Sequence, residues 1–161
     1  MFDLINGLPV HPLVVHAVVV LLPLAMIGTI AIVVRPAWRL TYGPLVVACA
    51  AIATILIPVA TSSGEQLEKH VGDPGEHAEL GDQLIWFAIP LLVLVLAVVV
   101  LARRQASGKP PIGPSALPTV VGVLAIVAAL ATTVQVYRIG DSGAKAAWGD
   151  QVTSSSGEGG E

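Results

Sequence analysis

Four stretches of the chain carry no Asp, Glu, Lys or Arg: residues 4–34, 40–64, 83–102 and 110–137. Each reaches or exceeds the roughly 20 residues that cross the hydrocarbon of a bilayer. Their apolar positions run on without the alternation of a membrane barrel strand, and a helix satisfies its own backbone in lipid, so each is read as a spanning helix. The pattern predicts an all-α fold, an integral membrane four-helix bundle with spans at about 10–34, 42–61, 83–102 and 115–137. Residues 1–150 form the membrane domain, and the Gly/Ser-rich stretch 151–161 is expected to be a disordered polar tail. No Lys or Arg precedes the first run, which is too long for a signal core and lacks a small-residue cleavage site, so it is expected to be retained.

The connections orient the bundle. Arg35 and Arg39 join the first two spans, and Arg103, Arg104 and Lys109 join the last two, with no acid in either connection. The excess of positive charge places both loops in the cytoplasm. The middle connection carries Glu65, Glu68, Lys69, Asp73, Glu76, Glu79 and Asp82, and it faces the outer, periplasmic or extracellular side together with the N-terminus and the C-terminus.

Composition narrows the class further. With 55% hydrophobic and 12% charged residues, and a mean hydropathy of +0.83, the chain lies outside the range of soluble domains. A net charge of −3 and the absence of a basic run exclude nucleic acid as the main partner. Cys49 is single and lies in an apolar stretch, where it reads as a packing residue.

Local signals add detail. Pro23 and Pro90 fall inside apolar runs and are expected to kink their helices. Small residues at Ala48, Ala50, Ala51 and Ala53, and at Gly122, Ala125, Ala128, Ala129 and Ala131, let the second and fourth helices approach closely. Ser62-Ser63-Gly64-Glu65 and Asp73-Pro74-Gly75-Glu76 both read as helix starts, and the third helix is expected to begin near Asp73.

All four histidines fall at the outer end. His16 is expected just inside the outer boundary, His11 about a turn above it, His77 on the third helix and His70 in the loop before it. An imidazole in or near a span needs a hydrogen bond, a partner or a metal. His11, His16 and His77 are candidate haem ligands, with Trp86 and Phe87 as apolar neighbours and Arg138 placed to meet the propionates. The same histidines, with His70 and Glu76, form a candidate transition-metal set, which Glu79 and Asp82 could join. Residues five apart lie about 140° apart around a helix, so His11 and His16 cannot both serve one face of a regular helix. Helix capping, a structural hydrogen bond and a solvated ring remain open readings for these side chains.

Three segments carry a family resemblance: Gly7-Leu8-Pro9-Val10-His11-Pro12-Leu13-Val14-Val15-His16, Ser63-Gly64-Glu65 leading to His77-Ala78-Glu79-Leu80-Gly81-Asp82, and Tyr137-Arg138-Ile139-Gly140-Asp141-Ser142-Gly143-Ala144. In this order they resemble the bacterial family catalogued as domain of unknown function 2231, over nearly the whole chain to about Asp150. The resemblance implies a four-helix protein of the bacterial inner membrane whose recurring histidines suggest haem or metal binding. Relatives often carry a histidine where Asp141 stands here. Asp141 suits a hard metal and is a poor replacement for an axial haem ligand.

Two functional readings follow. One is a small redox or metal-binding subunit, holding haem b or a transition metal for electron transfer and working with a respiratory or redox membrane partner or as a homo-oligomer. The other is a structural or accessory membrane protein without a cofactor and without catalytic activity of its own. The span interiors lack carboxylates and lysines, which argues against coupled transport, and no nucleophile motif or phosphate loop is present.

Overall fold

The computed structural model describes residues 4–5, 8–71 and 75–155. Two short strands, β1 (Leu4–Ile5) and β2 (Leu8–Pro9), pair antiparallel with Leu4 opposite Pro9. This two-residue pairing leads directly into α1 (Val10–Val34), and the architecture is all-helical as expected. A 3₁₀ turn at Pro36–Trp38 and a short connection lead to α2 (Gly43–Val71). Then come α3 (Glu76–Gln83), α4 (Ile85–Ala106) and the 39-residue α5 (Leu117–Ser155). The polar stretch expected to be disordered begins at 151; α5 continues to Ser155, and 156–161 lie outside the described residues.

Among the described residues, four helices are long and apolar enough to cross a membrane: His11–Val34, Gly43–Gln66, Glu76–Ala106 and Leu117–Ala146. The third unites α3 and α4, because Leu84 between them keeps right-handed helical angles. α1 packs against α2 and α5, and α4 packs against α5 and α2, so the order around the bundle is α1, α2, α4, α5. α1 and α4 lie across one diagonal and run in the same direction.

The core is apolar and rich in small residues. Ala50 and Ala53 of α2, Ala88 of α4, and Ala125 and Ala129 of α5 are buried, which brings the helix axes together where no hydrophobic effect drives them. Gly28 allows a close approach between α1 and α2, since a β-carbon there would stand 2.6 Å from Val46 Cγ2. Buried hydroxyls are satisfied within their own helices: Thr29 and Thr132 each donate to the carbonyl four residues back, at 2.7 Å. Large apolar side chains such as Ile27, Val93 and Val134 face outward. Trp38 and Tyr42 at one end, and Trp86 and Tyr137 at the other, are exposed in the manner of interfacial aromatic belts.

Two expectations about helix starts meet the structure differently. Ser62-Ser63-Gly64-Glu65 is not a start, because α2 runs unbroken through it to Val71. The Ser63 hydroxyl instead donates back to Ala60 O at 2.9 Å, inside the helix. The third helix begins at Glu76 after Gly75, whose φ of +58° suits only a residue without a β-carbon; Asp73 and Pro74 lie outside the described residues.

Candidate functional site

His11 sits in the first turn of α1, where Pro12 follows it without disturbing the helix because no N–H is needed there. Its half-buried ring lies against α2, with Nδ1 2.9 Å from Ala60 O and 3.3 Å from Ser63 Oγ. A carbonyl oxygen only accepts, so Nδ1 carries the proton and donates. Gly64 makes room: a β-carbon there would stand 3.0 Å from the ring carbon Cε1. With Nδ1 protonated, Nε2 of the neutral ring keeps its lone pair.

His77, in the first turn of α3, has the same surroundings on α5. Its Nδ1 donates to Ile139 O at 3.1 Å and lies 3.5 Å from Ser142 Oγ, while the Ser142 hydroxyl donates to Ile139 O at 3.0 Å. A β-carbon on Gly143 would stand 3.0 Å from both Cε1 and Nδ1 of the ring. Each histidine is thus seated on a carbonyl, a serine one turn later and the glycine after it. Metal-ligating histidines commonly give their other N–H to a backbone carbonyl in this way, which fixes the tautomer and the ring orientation.

The remaining candidates lie apart from these seats. His16 is exposed, and its Nδ1 donates to Pro12 O of its own helix, on a different face from His11, in keeping with the five-residue spacing. His70 falls in the last turn of α2, and its side chain lies outside the described residues. Glu76 and Glu79 are exposed. Asp141 accepts from Lys145 at 2.7 Å on the exposed face of α5, turned away from the face that carries Ser142. Arg138 is exposed on α5, next to the Ile139 carbonyl that holds His77. Trp86 is 74% exposed and so lies outside the bundle, where it cannot line an internal haem face.

Among the described residues, no three His, Cys, Asp or Glu side chains come together as a metal cluster. Sequence reasoning missed the seats themselves. A Ser-Gly pair stands at each seat, at 63–64 and at 142–143, but the same pair also occurs at 107–108 and 156–157 and so does not mark the seats by itself. Gln135, also not anticipated as a tie, is buried and donates from Nε2 to Leu80 O at 2.9 Å, joining α5 to α3 just below His77. An apolar groove between α1 and α2, lined by Gly28, Trp38, Tyr42 and Cys49 among others, lies at the opposite end from the histidines.

No curated protein and no solved structure matches the chain. A family model does match, over residues 7–156, which include both histidine seats and all four apolar helices. The chain belongs to the family described as Predicted membrane protein (DUF2231).

Proposed function

We propose that this multi-pass membrane protein is a small electron-transfer subunit that holds haem b at the outer end of its bundle through seated histidines. The observation that carries the reading is the state of His11 and His77: each gives its Nδ1 proton to a backbone carbonyl and keeps Nε2 available to a ligand. Haem iron supplies a one-electron couple when bound. The chain's own residues do the rest. The Ala60 and Ile139 carbonyls orient the rings, Leu22, Leu84 and Ala88 belong to the apolar core of the same helices, and Arg138, one residue before Ile139, would offer a cation to the propionates.

The same reading extends to topology and location. Arg35, Arg39 and Lys109 in the two connections, with Arg103 and Arg104 in the last turn of α4, lie remote from the histidines, which supports a cytoplasmic position for them and an outer position for both termini. The bacterial inner membrane, with a respiratory or redox partner or a second copy of the chain, fits this orientation. The accessory reading draws on the same contacts, because His11 ties α1 to α2 and His77 ties α3 to α5 whether or not a cofactor is present.

A reduced-minus-oxidised visible spectrum of the protein purified in mild detergent, after expression with adequate haem, separates the two. Sharp bands of a b-type cytochrome are the expected result. A folded, monodisperse protein that is colourless and takes up no added haem overturns the redox reading in favour of the accessory one.

A further inference from the structure

The surroundings of His11 recur at His77, and they recur in a constant register. The step along the chain from His11 to His77 is repeated among the buried positions of the helices. Val18, Leu22 and Ile32 of α1 have buried counterparts at that same step in Leu84, Ala88 and Val98. A second, longer step carries Ser63-Gly64 to Ser142-Gly143. It also carries the buried Val46, Ala50 and Ala53 of α2 to Ala125, Ala129 and Thr132 of α5, which are buried in turn.

Contacts between the two halves repeat as well. Gly43 of α2 faces Val99 of α4, where an added β-carbon would stand 2.6 Å from Cγ2. Gly122 of α5, the counterpart of Gly43 by the longer step, faces Val33 of α1, the counterpart of Val99 by the shorter one, with the corresponding distance 3.2 Å. A single rotation that carries α1 onto α3–α4 and α2 onto α5 accounts for both contacts, and for α1 meeting α5 as α4 meets α2. Since α1 and α4 run in the same direction, its axis lies along the bundle, the arrangement of a parallel membrane repeat.

We infer that the chain is two copies of one helical hairpin related by this axis, and that His11 and His77 are the two equivalent halves of a single ligand site with two matching coordination positions. The inference rests on the redox reading above and sharpens it: one haem per chain, held by both imidazoles, rather than one haem per seat or a pair that includes His16. The repeat also accounts for His16. Its counterpart by the shorter step is Asp82, likewise exposed, so that register position is a polar outer flank in both halves.

The test is the haem content and spin state of the full-length protein and of His11→Ala, His77→Ala and His16→Ala, with folding followed by circular dichroism. The expected result is one low-spin haem per chain, unaffected by His16→Ala. His11→Ala and His77→Ala should each weaken binding by the same factor, about tenfold or more, leaving any residual haem high-spin. Two haems per chain, haem that survives either seat variant in low-spin form, or dependence on His16 overturns this inference while leaving the redox reading intact. A folded chain that takes up no haem overturns both. Where a seat variant fails to fold, His11→Gln or His77→Gln gives the same comparison.

Discussion

Each histidine seat depends on a glycine. At 64 and at 143 a methyl group would meet the imidazole at 3.0 Å, and the ring, held by its carbonyl, would have to give by a few tenths of an ångström against that bond. Gly143→Ala and Gly64→Ala are therefore each expected to destabilise the protein by about 1–3 kcal/mol, the usual cost of overpacking. Thermal unfolding in detergent measures this, and an unchanged midpoint would show that the rings are not fixed where the hydrogen bonds place them. These seats were only half legible in the sequence. The histidines stood out because imidazole is costly near lipid, but Ser63 and Gly64 read as the start of a new helix. The same two residue types that cap a helix also let an intact helix accept a ring from its neighbour, and only the tertiary contact with His11 separates the two uses.

At the scale of the helices, the long charge-free runs made all four spans legible, since nothing but a helix or a closed barrel satisfies a backbone in hydrocarbon. The repeat between the halves was not. Lipid-facing and core positions accept almost any apolar side chain, so Val18 and Leu84, or Leu22 and Ala88, share a place in the fold without sharing an identity. What the halves do share is spacing, and spacing is set by how closely the helices can approach. Gly28 tests that approach directly. Gly28→Ala is expected to cost about 1–3 kcal/mol through the clash with Val46, and the double substitution Gly28→Ala with Val46→Ala to recover part of it. Strict additivity of the two changes in unfolding free energy would mean that α1 and α2 are not held together at this point.

For the molecule as a whole, the two hairpins place both basic connections at one end and both histidine seats at the other. Single cysteines at Ser107 or Ser115, introduced after Cys49→Ala, should label with a membrane-impermeant maleimide only once the inner face is opened. A cysteine at Glu79 should label in intact cells. Labelling of the two sets in the reverse sense would invert the topology and place the histidines in the cytoplasm.

The length of α5 has a mechanical consequence. Its 39 residues span about 58 Å at 1.5 Å per residue, against roughly 30 Å of hydrocarbon, so close to half of the helix projects beyond the bilayer. Helices tilt to match bilayer thickness, and a tilt of about 10° swings the end of such an overhang sideways by about 5 Å. Ile139 and Gly143 stand near the base of this overhang and move little, whereas the far end of α5 amplifies the motion. α5 is thus a lever with His77 near its fulcrum.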